Sequence, residues 1–508
     1  IGAQTKVALD RIGADIRSLD TATGRQQGIE RTLATIDHGG TLELSHHYTF
    51  DTGGILYDNG QLYVRKGSHV AHHAIVVGQG GGLVGDGTID SALRNHGRVT
   101  ALAGGRLTLD GRVSAGGTFE AEHGSVLRLA DVAAGIFNDG TLEHGHFLAK
   151  GSIELSGGRI VVDAANILLA GGDMQHLAST LATIAATGVL GIEESFDLTA
   201  HGGRLSVEGQ LKLDYGGTIE ATLLSVGNAG TVEGIGRIES NVTLDGGVLA
   251  ASGYFFESLE VDGALRGTGL IAALPIYPYE PVTLDLHGGG AFAGTFEGLG
   301  VVEITGTDTF TLLQPSLDQA RNLIQQGPAR VVLGQGASLT VAAGSTYEVQ
   351  GGVMAGGSGA SLINDGTVET TGSSTIGVAV VDEGSVGVTG TLSFSDAVSG
   401  NGTVVLYQSA SATFMQSVGS GVSVDLQAYS TLDLARPLAF DGTIDFFTKH
   451  ETIDLLGAPA TSARFSDGVL TVRDGPKLVA SLSFGGALKT SAFLLSSDGH
   501  GGTFITHR

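Results

Sequence analysis

Residues 364–369 read Asn-Asp-Gly-Thr-Val-Glu, and residues 138–143 repeat the stretch with one conservative change, Asn-Asp-Gly-Thr-Leu-Glu. Either the hexapeptide is a site used twice or it is a piece of scaffold. Its core, Gly-Thr followed by a hydrophobic residue, points to scaffold because it recurs twelve times. The copies are at Thr41, Thr88, Thr118, Thr141, Thr218, Thr231, Thr295, Thr367, Thr391, Thr403, Thr443 and Thr503. An acid follows in most of them, as in GTIDS, GTFEA, GTIEA and GTVEG. Several intervals lie near multiples of twelve, among them 47, 23, 13, 24, 12 and 60 residues. Loosely periodic self-similarity of this kind marks a repeat architecture and argues against a single active site.

Each unit reads as a turn followed by a strand. Asp-Gly occurs ten times, including Asp86-Gly87, Asp262-Gly263 and Asp441-Gly442, and supplies the positive φ that tight turns need. Apolar and polar residues then alternate, as in Arg106-Leu107-Thr108-Leu109-Asp110, which turns one face inward and the other to water. Sandwich domains would need recurring breaks and distinct cores. A β-solenoid needs only stacked coils around one core. The inward positions are mostly Val, Leu and Ile, and aromatic residues are scarce at 6%. The expectation is therefore an all-β, elongated β-solenoid, a right-handed parallel β-helix with a few short helices. Coils of about 20 residues at a rise of roughly 4.8 Å would extend on the order of 100 Å.

Composition agrees with that reading. Gly contributes 83 of 508 residues and Pro only 8, which excludes collagen. With 42% hydrophobic and 16% charged residues, the chain is too apolar for disorder. A formal net charge of −25 disfavours nucleic acid and anionic lipid as partners. The absence of Cys removes disulfides and thiolate metal sites. No apolar run approaches the roughly 20 residues of a membrane span. Residue 1 is Ile and no signal segment follows it, so a mature or trimmed form is expected.

Three stretches depart from the strand pattern. Leu9, Ile12, Ile16 and Leu19, then Ile29, Leu33 and Ile36, have helical spacing and predict a helical cap or assembly segment over residues 1–37. Met174, Leu177, Leu181 and Ile184 predict a helical insertion near 173–186 within a solenoid over 38–310. Leu317, Ala320, Leu323 and Ile324 predict a helical break over 311–327. A second solenoid block then runs over 328–508, with a closing module at 441–508. Within the first block, LPIYPYEP at 274–281 reads as a projecting loop, since Pro cannot donate to a ladder.

Chemistry is sparse. HExxH, GxSxG and Walker motifs are absent, and Gly78-Gln79-Gly80-Gly81-Gly82 lacks the helix and Lys of a phosphate loop. No catalytic residue is assigned. The repeated acid after Gly-Thr-hydrophobic can stack into an acidic stripe, either a soluble face or the carboxylate wall of a polysaccharide-cleaving β-helix. Tyr277, Tyr279 and Glu280 on the projecting loop are the candidates for glycan or partner binding. His46-His47, His69 with His72-His73, and His144 with His146 form local pairs without diagnostic spacing. Calcium is the one cofactor left open, at the corner acids Asp139 and Asp365, although the GGxGxDxUx calcium repeat is absent.

The C-terminal block carries a resemblance. DGTIDFFTKHETIDLLG from Asp441, FSDGVLTVRDGPKLVASLSFGG from Phe465 and FLLSSDGHGGTFIT from Phe493 together resemble the closing module of large bacterial surface and secreted proteins. These are the β-strand-repeat, haemagglutinin-like and autotransporter-passenger-like proteins. NAGTVEGIGRIESNVTLDGGVLAASG, Asn228–Gly253, is similar to their passenger repeats. The resemblance implies a β-solenoid outside a bacterial cell, at the cell surface or in biofilm matrix, serving as an adhesive shaft or fibre subunit. It carries over no catalytic residues. No translocator pattern with aromatic girdles follows Thr503, so an intact autotransporter is not expected. The expected partners are other copies, end to end or through the N-terminal helices, and surface glycans. The alternative is a polysaccharide-binding or polysaccharide-degrading β-helix.

Overall fold

The computed structural model describes the chain apart from residues 3, 10–16, 21–24, 115, 123, 133–136, 139–140, 143–145, 150–151, 156–159, 163–165, 171–180, 194–196, 254–256, 278–280, 318–321 and 487. Nearly all regular structure is β, and the chain forms two compact units, Ile1–Ser240 and Asn241–Arg508. Each is a parallel β-solenoid.

In the first unit one wall stacks Thr41–Leu44, Gln61–Val64, Gly82–Gly85, Arg98–Ala101 and Thr118–Ala121 in parallel register. That register superposes Leu42, Leu62, Leu83, Val99 and Phe119, all fully buried. The other walls come from longer strands that bend at a bulge. In Thr49–Asp58 the register with His69–Val77 shifts between Thr52 and Ile55, which turns the chain from one wall to the next.

The second unit shows three strands per coil most plainly. Ser361–Asn364, Thr367–Thr371 and Ser373–Ile376 form one coil. Ala379–Asp382, Ser385–Val388 and Thr391–Phe394 form the next. Val368 lies beside Val386 and Val386 beside Val404, so these coils take 18 residues each. Period-two alternation sends Val and Leu inward from every wall. Each such side chain, removed from water on all sides, contributes about 1.5–3 kcal/mol. Like stacks on like, as where Phe394 lies on Phe414 with ring centroids 4.8 Å apart.

The last coil is covered. Thr443–Asp445 pairs in parallel with Lys477–Phe484, while Thr452–Leu455 pairs antiparallel with Thr503–His507. Val469–Asp474 and Phe493–Ser497 complete two antiparallel hairpins. Phe447, Phe465, Phe484 and Phe493 pack beneath them, with centroids of Phe484 and Phe493 5.2 Å apart. Thr490 finishes the edge of Ser462–Ser466: its hydroxyl accepts from the Phe465 N–H at 3.0 Å and donates to the Phe465 carbonyl at 2.9 Å. A side chain thus occupies the groups that another strand would otherwise use.

The helical expectations fail where the residues are described. Residues Lys6–Leu9, Arg17–Asp20 and Arg25–Gly28 are strands, and the only helix there is the single turn Ile29–Thr32. Leu9 and Ile36 share a core because both sit on short strands facing it. Their spacing came from separate strands and not from one helical face. Residues 311–327 hold the strands Ser316–Leu317 and Asn322–Gln326. There Leu323 faces the core while its neighbour Ile324, in register with Glu303 and Glu348 on the wall, is buried as well, which imitates a helical pair. Leu181–Ile184 is also a strand, and the rest of the insertion near 173–186 lies largely outside the described residues.

Candidate binding surfaces

The hexapeptide is a coil corner. Asn364 is fully buried, and its Oδ1 accepts from the Gly366 N–H at 3.2 Å. Its Nδ2 donates to Asp382 Oδ1 at 2.7 Å and to the Ser385 carbonyl at 3.0 Å, both on the following coil. The side chain thus closes its own turn and ties two coils together. Asp58 and Gly60, Asn95 and Gly97, and Asp382 and Gly384 repeat the arrangement, with the glycine N–H donating at 3.1, 3.0 and 3.3 Å. Where the corner residue is Asp, burial pushes its pKa up, to about 7 for Asp58 and about 6 for Asp382. Each also keeps one oxygen without a hydrogen-bond partner. The amide is therefore the better fit for this corner.

Asp365, the calcium candidate, points into solvent, and Asp139 lies outside the described residues. Among the described residues no group of three or more His, Asp or Glu side chains has metal-ligating geometry.

The repeated acid does stack. On one wall of the second unit Glu260 lies beside Asp285 and Asp285 beside Glu303. Glu348 lies beside Glu369, and Asp425 beside Asp445. Ile324, Gly387 and Val405 interrupt the column. A parallel column of hydroxyls runs alongside it through Thr346, Thr367, Ser385, Thr403, Ser423 and Thr443. Its members touch where Thr403 Oγ1 and Ser423 Oγ lie 3.0 Å apart. Carboxylates on neighbouring strands about 4.8 Å apart repel one another. Partial burial and then neighbouring charge raise the pKa values of Glu303, Glu369 and Asp425. The wall presents acceptors and hydroxyls at a fixed repeat, a surface suited to cations or to hydroxyl-rich polymers.

The other sequence candidates are scattered. Tyr277 is 53% exposed two residues beyond the strand Leu265–Pro275, which takes in Leu274 and Pro275, the first two residues of the expected loop, by pairing them with Ser252 and Gly253. Tyr279 and Glu280 lie outside the described residues. His46 and His47 form an exposed corner with φ of +53° and +62°. His72 is buried against Phe50, and that burial lowers its pKa to about 4. His73 faces solvent, and His69 lies 3.5 Å from Asp90. The side chains of His144 and His146 lie outside the described residues. Sequence reading missed a groove of about 430 Å³ beside the closing hairpins, lined by Arg436, Leu438, Pro459, Asp474, Lys477 and Leu478. Those residues have no common motif, and only the fold gathers them.

No family model matches the chain, and no curated protein matches it. Among the described residues no helix is long and apolar enough to cross a membrane.

Proposed function

We propose that the chain is a non-enzymatic structural and adhesive protein acting outside a bacterial cell, with the β-solenoid as its scaffold and its outward walls as contact surfaces. The observation that carries this reading is the column of hydroxyls running from coil to coil on one wall, with a carboxylate beside it on four of its six coils. Such a surface makes many equivalent weak contacts in register, which is how repetitive polymers are held through multivalency. The resemblance of residues 441–506 to bacterial surface proteins supports the same setting. Retention under flow tests the proposal. Beads coated with the full chain are expected to stay on polysaccharide-coated glass, and beads whose carboxylates have been amidated are expected to wash off. Equal retention of both would overturn it.

A second reading, a polysaccharide-cleaving β-helix, is favoured by one observation: Glu348 and Glu369 are neighbours on adjacent coils, and partial burial and then the charge of Glu348 raise the pKa of Glu369. A pair of neighbouring carboxylates, one held protonated by its surroundings, is the apparatus of glycoside cleavage. New reducing ends released from a polysaccharide panel, and lost in Glu369→Gln, would establish it in place of the first.

A further inference from the structure

One corner of the second unit recurs on three successive coils. It joins Thr403–Leu406 to Ser411–Phe414, Ser423–Leu426 to Thr431–Leu434, and Thr443–Asp445 to Thr452–Leu455. Each copy carries an exposed aromatic residue: Tyr407 at 36%, Tyr429 at 57% and Phe446 at 68%. His450 on the third copy stacks on Tyr429, with ring centroids 4.7 Å apart and planes 29° from parallel.

Folding does not call for rings at these positions. Tyr429 and Phe446 hold φ of +65° and +57°, a conformation that costs a residue with a β-carbon about 1–2 kcal/mol and suits Gly or Asn. Phe446 uses it to let the next residue, Phe447, enter the aromatic cluster, where it packs on Phe484 at 5.4 Å. The backbone needs that turn, but the Phe446 ring is left in water. The flank is anionic: Asp425 and Asp445 pair on the strands that lead into the corner. Asp445 adds to the burial that raises the pKa of Asp425. Against them the three corner segments carry one Lys, Lys449, no Arg and one His, His450.

We propose that this corner binds a cationic glycan, an oligomer of amino sugars with free ammonium groups. The sugar faces stack on Tyr429 and Phe446, and the ammonium groups pair with Asp425 and Asp445. Aromatic faces attract both the C–H surface of a sugar and a nearby cation. Three coils at a rise of about 4.8 Å give an aromatic edge on the order of 10 Å, the reach of a short oligosaccharide. Charge complementarity selects the free amine over its acetylated form. The proposal deepens the adhesive reading and rests on it only in taking the ligand to be a glycan.

Calorimetric titration of the full chain with glucosamine oligomers, N-acetylglucosamine oligomers and oligolysine tests it. The free-amine oligomer is expected to bind and the acetylated one to bind at least about tenfold more weakly. Tyr429→Gly and Phe446→Gly are each expected to weaken binding about tenfold without lowering Tm, because glycine relieves the backbone. Absence of binding, equal affinity for the acetylated oligomer, or tighter binding of oligolysine would overturn the proposal. So would a marked loss of Tm in both glycine variants, which would make the rings structural. Binding at the corner without bead retention would remove the adhesive reading and leave the site standing.

Discussion

Replacing Asp382 by Asn tests the corner chemistry most sharply. Asp382 is fully buried, accepts from Asn364 Nδ2 and from the Gly384 N–H through Oδ1, and leaves Oδ2 without a partner. Burial raises its pKa to about 6 from an ordinary 3.8. A carboxyl whose folded pKa is raised adds no penalty below its unfolded value. The penalty grows as pH rises from 3.8 to about 6 and is then constant. At about 1.36 kcal/mol per pKa unit, its full size is about 3 kcal/mol. Asn has the same shape and no charge, and it keeps an oxygen to accept from the glycine N–H of the turn, as Asn364 does one coil earlier. Asp382→Asn is therefore expected to stabilise the second unit by up to about 3 kcal/mol near pH 8 and to be close to neutral near pH 4. Hydrogen exchange of the amides Gly384–Thr403, corrected for intrinsic rates, reads this locally without assuming that the whole chain unfolds in one step. An equal effect at both pH values would refute the reasoning. Destabilisation at the higher pH would do so too, because it would show the carboxylate held in its charged form.

Three further substitutions follow from the same packing. Tyr347→Phe removes the buried phenol that donates to Gln325 Oε1 at 2.7 Å, and is expected to cost about 1–3 kcal/mol by denaturant titration because Gln325 stays buried. Gly400→Ala places a β-carbon against the Asp382 carbonyl at φ +106°, and a loss of about 2–4 kcal/mol is expected from the same titration. Asp454 is pushed up to about 6 by burial and then by Asp498 and Asp433. Its penalty appears as pH rises through that range, so Asp454→Asn is expected to slow exchange along Thr503–His507 above pH 6 and to leave it unchanged near pH 4.

The solenoid was legible because its units announce themselves. Gly-Thr-hydrophobic marks the passage from corner to strand, and Val368, Val386 and Val404 then superpose through the coil repeat. The acidic stripe was legible for the same reason, since Glu369 and Asp445 each follow a Gly-Thr-hydrophobic unit. The identity of the corner residue was only half visible. The sequence drew attention to Asp365, whereas the side chain that ties the coils is Asn364, one position earlier, and burial distinguishes the two. Helices were misread at Leu9 and Leu323 because short strands separated by corners can place apolar residues three and four apart without any helical face. The aromatic corner could not be read at all. Tyr407, Tyr429 and Phe446 have different neighbours in sequence, and only the stacking of successive coils puts them on the same corner.

That register is the central claim, and a chain without cysteine allows it to be measured by cross-linking. Thr403 and Ser423 face each other on adjacent strands with their hydroxyl oxygens 3.0 Å apart. The Cα separation of neighbouring strands, about 4.8 Å, lies within the range a disulfide spans. The double variant Thr403→Cys with Ser423→Cys is expected to oxidise almost completely to an intramolecular disulfide. Thr403→Cys with Asp425→Cys, two residues out of register, is expected to stay reduced under the same conditions. Failure of the first pair to close, or equal closure of both, would contradict the parallel coil stack on which the corner, the acidic wall and the proposed binding edge all depend.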